Sequence, residues 1–180
     1  MNLPLSFRHA CCALALAVAV PAAGQPALPT VPALDLERYV GQWHEIARYP
    51  NSFERDCARE VTATYTRNPD GTVQVVNACR KADGSLMRAE GLARMALPPS
   101  KLEVRFAPAW LSWLSLVWAE YWVIDLADDY SYAVVGEPSR DYLWILARDP
   151  RLPDATLDRI VARLPDLGYE PEKLIRNPRP

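Results

Sequence analysis

At 180 residues, half of them apolar, the chain is long enough for one domain with a sizeable core and cramped for two. Its formal charge of −2 comes with no run of basic residues, which excludes a nucleic-acid-binding surface built on charge.

The first 24 residues hold an early Arg8, an unbroken apolar run from Ala10 to Val20, and small residues at Ala22 and Gly24. That layout predicts a signal peptide over 1–24, cleaved after Gly24, because the apolar run is too short to span a bilayer as a helix. The mature domain is then 25–180, secreted across the inner membrane to the periplasm, at or near the outer membrane. Cys11 and Cys12 open the apolar run with no small-residue box before them, which favours a soluble product over a lipid-anchored one. Cleavage removes Arg8 and moves the formal charge from −2 to −3. Two cysteines survive it, Cys57 and Cys79, in a compartment where disulfides persist. A bridge between them is the simplest reading, and two free thiols are the alternative.

From Gly41 onward, short alternating or apolar runs are separated by turn residues. Strands are predicted over 42–49, 61–66, 72–77, 86–96, 101–106, 120–126, 130–136 and 142–148. Asn68-Pro69-Asp70-Gly71 and Ala82-Asp83-Gly84-Ser85 mark tight hairpins, and Pro98-Pro99-Ser100 a further break. Leu157, Ile160, Val161 and Leu164 then fall at helical spacing, after Pro153-Asp154 and before Pro165 and Gly168. The prediction is an all-β fold, an eight-stranded antiparallel up-and-down barrel with one C-terminal α-helix packed outside.

Alternate strands of such a barrel run in opposite directions. The eighth therefore brings Arg148 back to the end where the first begins at Trp43, and a guanidinium over an indole there seals the floor. The same count gathers four loops at the open end and brings Cys57 near Cys79. Period-two alternation predicts inward faces of Trp43, Glu45, Ala47 and Tyr49; Val61, Ala63 and Tyr65; Val73, Val75 and Asn77; Leu102, Val104 and Phe106; and Tyr142, Trp144 and Leu146. An apolar interior with a few polar groups suits a lipid chain with a polar end. Glu45 stands out, because a carboxylate there must be paired or protonated; it pairs with Arg148 or meets a lipid head group.

The motif Gly41-Gln42-Trp43 within YVGQWHEIARYP, followed in order by FERDC, VTATYT, NPDGTVQVVN, KLEVRF and RDYLWILARDP, resembles the lipocalin family from about Leu34 to Ile175. The resemblance is closest to bacterial outer-membrane lipocalins, plant temperature-induced lipocalins and apolipoprotein D. It implies binding, storage or transport of a fatty acid, lysophospholipid or similar apolar molecule. By motif match it also implies pocket positions at Tyr39, Tyr65, Asn77, Phe106, Tyr121, Trp144 and Leu146, with Gly41, Trp43 and Arg148 as structural floor residues.

The connection between the fifth and sixth strands reads APAWLSWLSLVWAEY, with Trp110, Leu111, Trp113, Leu114 and Trp118 in a loop placed at the mouth. Loops are ordinarily polar, so this one is expected to contact a membrane, with a lid or a dimer contact as the alternatives. The oligomeric state is expected to be monomer or weak homodimer. No enzyme, cofactor or metal is expected. The mature chain carries the single histidine His44 on an outward face, no Gly-x-Ser-x-Gly elbow, and no spacing that makes a zinc ligand set. A lipid-modifying enzyme or a partner-binding module on the same barrel is the competing reading.

Overall fold

The computed structural model describes residues 26–178, so the proposed signal peptide with Cys11 and Cys12 lies outside the described residues. Eight antiparallel strands follow one another: β1 (Gly41–Arg48), β2 (Arg59–Arg67), β3 (Val73–Arg80), β4 (Leu86–Met95), β5 (Lys101–Arg105), β6 (Ala119–Leu126), β7 (Tyr132–Gly136) and β8 (Leu143–Ala147). Each pairs with the next, and β1 pairs with both β8 and β2, which closes the ring. Closure leaves only short lengths of edge, at β9 and the mouth end of β2, to template aggregation. The helix α2 (Asp154–Arg163) packs outside, as its stripe of apolar residues predicts.

Three elements were not legible beforehand. A single helical turn, α1 (Leu36–Tyr39), is capped by Asp35, whose side chain accepts from the Glu37 amide. It crosses the bottom of the ring. A two-residue strand, β9 (Ile175–Arg176), pairs with the mouth-side half of β1 at Ala47 and Arg48. The third is a bulge in β1: the register against β8 slips between Glu45 and Ala47, which reverses inside and outside for the rest of the strand.

The bulge corrects part of the predicted inner face. Ala47 and Tyr49, expected inside, sit on the outer wall in the cluster with Leu157, Ile160 and Leu164 of the helix side. In their place Arg48, directly opposite Trp144, turns inward. A second slip between Val123 and Asp125 likewise leaves Asp125 opposite outer-layer Val134 and turns Leu126, opposite Ala133, to the inner cluster.

Two apolar layers result. The outer one lies between the β7–β8–β1 wall and α2. The inner one fills the lower ring with Tyr39, Trp43, Tyr65, Val73, Val75, Leu102, Val123, Val135 and Leu146. The bridge between Cys57 and Cys79 is formed, with Cα atoms 5.6 Å apart, and ties the β1–β2 loop to the mouth end of β3.

Candidate functional site

The floor is built on a glycine. Gly41 has φ +100°, a left-handed conformation, and a Cβ there would lie 3.2 Å from an Nη atom of Arg148. The close approach lets the guanidinium sit 3.9 Å from the Trp43 ring centroid. From there it donates to the carbonyls of Gln42 at 2.8 Å, Arg38 at 2.7 Å, Val40 at 2.9 Å and Tyr39 at 3.0 Å. One cation thus satisfies the carbonyls where α1 ends and β1 begins. The Trp43 indole N–H completes the seal by donating to the Tyr39 carbonyl at 2.8 Å.

Above the floor lies a shelf of three tyrosines. The Tyr121 hydroxyl is 2.6 Å from that of Tyr39 and 2.9 Å from that of Tyr65. Burial pushes the Tyr65 hydroxyl up to about 12 and those of Tyr39 and Tyr121 well above the usual phenol range, so all three stay protonated.

From mid-wall upward the inner face is open. Ala63, Asn77 and Ala89 are directly opposed across β2, β3 and β4, and none of them is buried; Ala89 and Ala119, the latter opposite Val104, are exposed. Small side chains at these inward positions leave a hollow that solvent enters from the mouth. The Asn77 amide oxygen is buried with no hydrogen-bond partner among the described residues. Phe106 lies just past β5, half-exposed at the rim, with its ring over Gly91, where a Cβ would meet it at 2.8 Å. Phe53, Tyr142 and Trp144 stack along another part of the rim, with Tyr142 and Trp144 centroids 5.9 Å apart and nearly parallel.

One charged cluster faces this hollow. Arg48 Nε lies 2.7 Å from Glu54 Oε2 and 3.6 Å from Glu45 Oε1. The closer contact is an ion pair whose angle falls short of a hydrogen bond. Glu54 comes from the β1–β2 loop and is held there by Asn51, which donates to its carboxylate at 2.8 Å and accepts from its amide at 2.8 Å. The Trp144 indole N–H reaches the other Glu54 oxygen at 3.4 Å. Asn177, just past β9, donates to Glu45 Oε1 at 3.0 Å and to its carbonyl at 2.8 Å. Burial, with the Glu54 carboxylate adding to it, pushes Glu45 up to about 8 against the pull of Arg48 and Asn177. The sequence reading offered Arg148 as a partner for Glu45; the ion-pair partner is Arg48, and Arg148 is spent on the floor.

A groove of about 340 Å³ also lies outside the ring, beside the N-terminal end of α2, lined by Tyr132, Arg148, Arg151 and Arg159 among others. It is an external groove between the strand wall and α2, with Ala127, Ala147, Leu152 and Pro153 beside the arginines, and the inner face of the ring is taken as the candidate site.

The apolar loop between β5 and β6 projects at the mouth end. Trp110, Trp113 and Leu116 are 74%, 78% and 82% exposed. Leu111 and Leu114 are half-buried, and the chain is pinned by two short 3₁₀ turns. Trp118 is half-buried. The guanidinium carbons of Arg94 and Arg105 lie 4.0 Å and 5.1 Å from its ring centroid, while its indole N–H donates to the Ser112 carbonyl at 2.9 Å.

The lipocalin-like family model matches residues 34–179. The chain is a lipocalin. It is 38% identical over 156 residues to temperature-induced lipocalin-1 of Arabidopsis thaliana, covering 84% of this chain and 83% of the relative. It is 35% identical over 142 residues to the outer membrane lipoprotein Blc of Escherichia coli, covering 78% and 77%. Apolipoprotein D of the mouse is 32% identical over 160 residues, covering 83% and 79%. In fold alone it matches insecticyanin of the tobacco hornworm, with a TM-score of 0.65 at 22% identity over 85% of each chain.

Lipocalins bind small hydrophobic ligands. Of the expected pocket positions, Tyr39, Tyr65 and Tyr121 come together as the shelf, and Leu146 belongs to the packed layer beneath the hollow. Asn77, Trp144 and Phe106 range from mid-wall to rim, and Glu45 is drawn into the charged cluster. Sequence reasoning missed Arg48, which strict alternation places outside, and Glu54, which sits in a loop. It also missed the small inward residues. Ala89, Gly91 and Ala93 at period two in LMRAEGLARM were a readable sign of them.

Proposed function

We propose that the protein is an exported carrier of a lipid-like molecule at the cell envelope, taking its guest from a bilayer through the apolar β5–β6 loop. The observation that carries this reading is the pairing of an open hollow with two exposed tryptophans and a leucine at the same end of the barrel. Trp prefers the membrane–water interface, and a loop free of charge from Phe106 to Ala119 has little electrostatic cost of insertion. A guest crossing directly from acyl chains to an apolar wall avoids water. Export is supported by the layout of residues 1–24 and by the formed disulfide. Carriage rather than catalysis is supported by the shelf tyrosines, whose protons are held by burial, and by the lone mature histidine on an outward position.

Liposome co-flotation tests the membrane step. Wild type is expected to float with phospholipid vesicles, and the Trp110→Ser, Trp113→Ser double variant to remain behind while unfolding at the same temperature. Equal flotation of the two would reject the membrane-contact role. Native mass spectrometry of protein extracted without detergent tests carriage, with co-purified lipid the expected finding.

A further inference from the structure

We propose that the hollow selects lipids whose polar end is neutral and donates a hydrogen bond over lipids ending in a carboxylate, and that Glu54 and Asn77 set that choice. The inference rests on the carrier reading and refines it.

Three observations bear on it. The first is charge: Arg48 is the inward-facing cation of the hollow, and it is taken by the Glu54 carboxylate at 2.7 Å, with the Glu45 carboxyl group 3.6 Å away on its other side. Arg105, the other buried arginine, follows inward Val104 and lies on the outer wall, where it bonds the Ala107 carbonyl and faces Trp118. No cation among the inward-facing described residues is therefore left to receive a carboxylate, which would lose its water without a counter-charge and meet Glu54 besides.

The second is the orphan acceptor. Asn77 Oδ1 is buried without a partner among the described residues, with alanines directly opposite on both neighbouring strands. An unpaired buried oxygen is costly, and only a donor relieves it. A hydroxyl or amide supplies one; a carboxylate brings only further lone pairs.

The third is the shelf. Its three hydroxyls carry three protons, and their two mutual contacts use two of them. One phenol proton is left for a guest oxygen, alcohol or carboxylate alike, so the shelf holds a polar end while Glu54 and Asn77 do the choosing. A long-chain alcohol, a monoacylglycerol or a fatty amide, each both donor and acceptor, matches this pattern in full.

The experiment compares dodecanol with dodecanoate by isothermal titration at about pH 7.5, where the free acid is ionised. Wild type is expected to bind the alcohol at least about tenfold more tightly, the scale of one lost charge-compensating contact. Glu54→Gln frees Arg48 to meet an anion and is expected to shrink that preference to about threefold or less. Asn77→Leu is expected to weaken dodecanol more than dodecanoate, which keeps the test alive if Glu54→Gln does not fold. Dodecanoate binding as tightly as dodecanol to wild type overturns the selectivity alone. Variants that leave the preference where it was overturn the role of these two residues. Failure of both probes to bind overturns the carrier reading together with this one.

Discussion

A single guanidinium holds the base of this molecule. Arg148 gathers four carbonyls and covers the Trp43 ring, and no other side chain has both reach and donors enough to replace it. Replacing Arg148 by Ala is expected to cost about 3 kcal/mol, combining a cation–π contact with charged hydrogen bonds; urea denaturation measures it. Lysine should recover only part of that loss, since its ammonium cannot fork across so many acceptors.

Glu45 gives a pH dependence with a definite sign. Its folded-state value, about 8, lies above the ordinary 4.5, so the folded protein holds this proton more tightly than the unfolded chain does. Its contribution is fully present below about pH 4.5 and is lost as pH rises through about 8. Wild type should therefore lose stability more steeply across that window than Glu45→Gln, which carries the neutral form at every pH. Parallel stability curves for the two, measured by thermal unfolding, would show that Glu45 is already ionised in the fold.

Among the elements, the strands were legible because turn residues punctuate them. Asn68-Pro69-Asp70-Gly71 and Asp83-Gly84-Ser85 supply left-handed glycines at φ +85° and carboxylates that accept from the Thr72 and Ser85 amides. The helix α2 was legible because Leu157, Ile160 and Leu164 repeat at its own period and all become buried. Ile160→Ala should cost about 2–4 kcal/mol in chemical denaturation, since the residue is 2% exposed against the outer wall.

The bulge in β1 was not legible, because no glycine or proline marks it: His44, Glu45, Ile46 and Ala47 read as uninterrupted alternation. That one slip explains why Arg48 was missed and Ala47 and Tyr49 misplaced. The strand β9 escaped for a different reason, since two residues carry no period. The candidate site was thus readable where it rests on regular strand, at Tyr65, Asn77 and Trp144. It was opaque where irregular backbone supplies it, at Arg48 and Glu54.

Across the whole molecule the ring is closed unevenly. Near the floor β1 is laddered to β2 from Gly41 to His44; toward the mouth its partner on that side is β9. Truncation after Leu174 removes β9 and the Asn177 contacts to Glu45 and Ile46. It should speed amide exchange along Ala47 and Arg48 while Gln42 to His44 stay protected. A uniform rise along β1 would mean that the strand opens as one unit.

This asymmetry gives the vessel a stiff base and a yielding lip. Guests that differ in girth near the rim can be housed by local give in the upper part of the first strand, with the indole-and-guanidinium seal undisturbed.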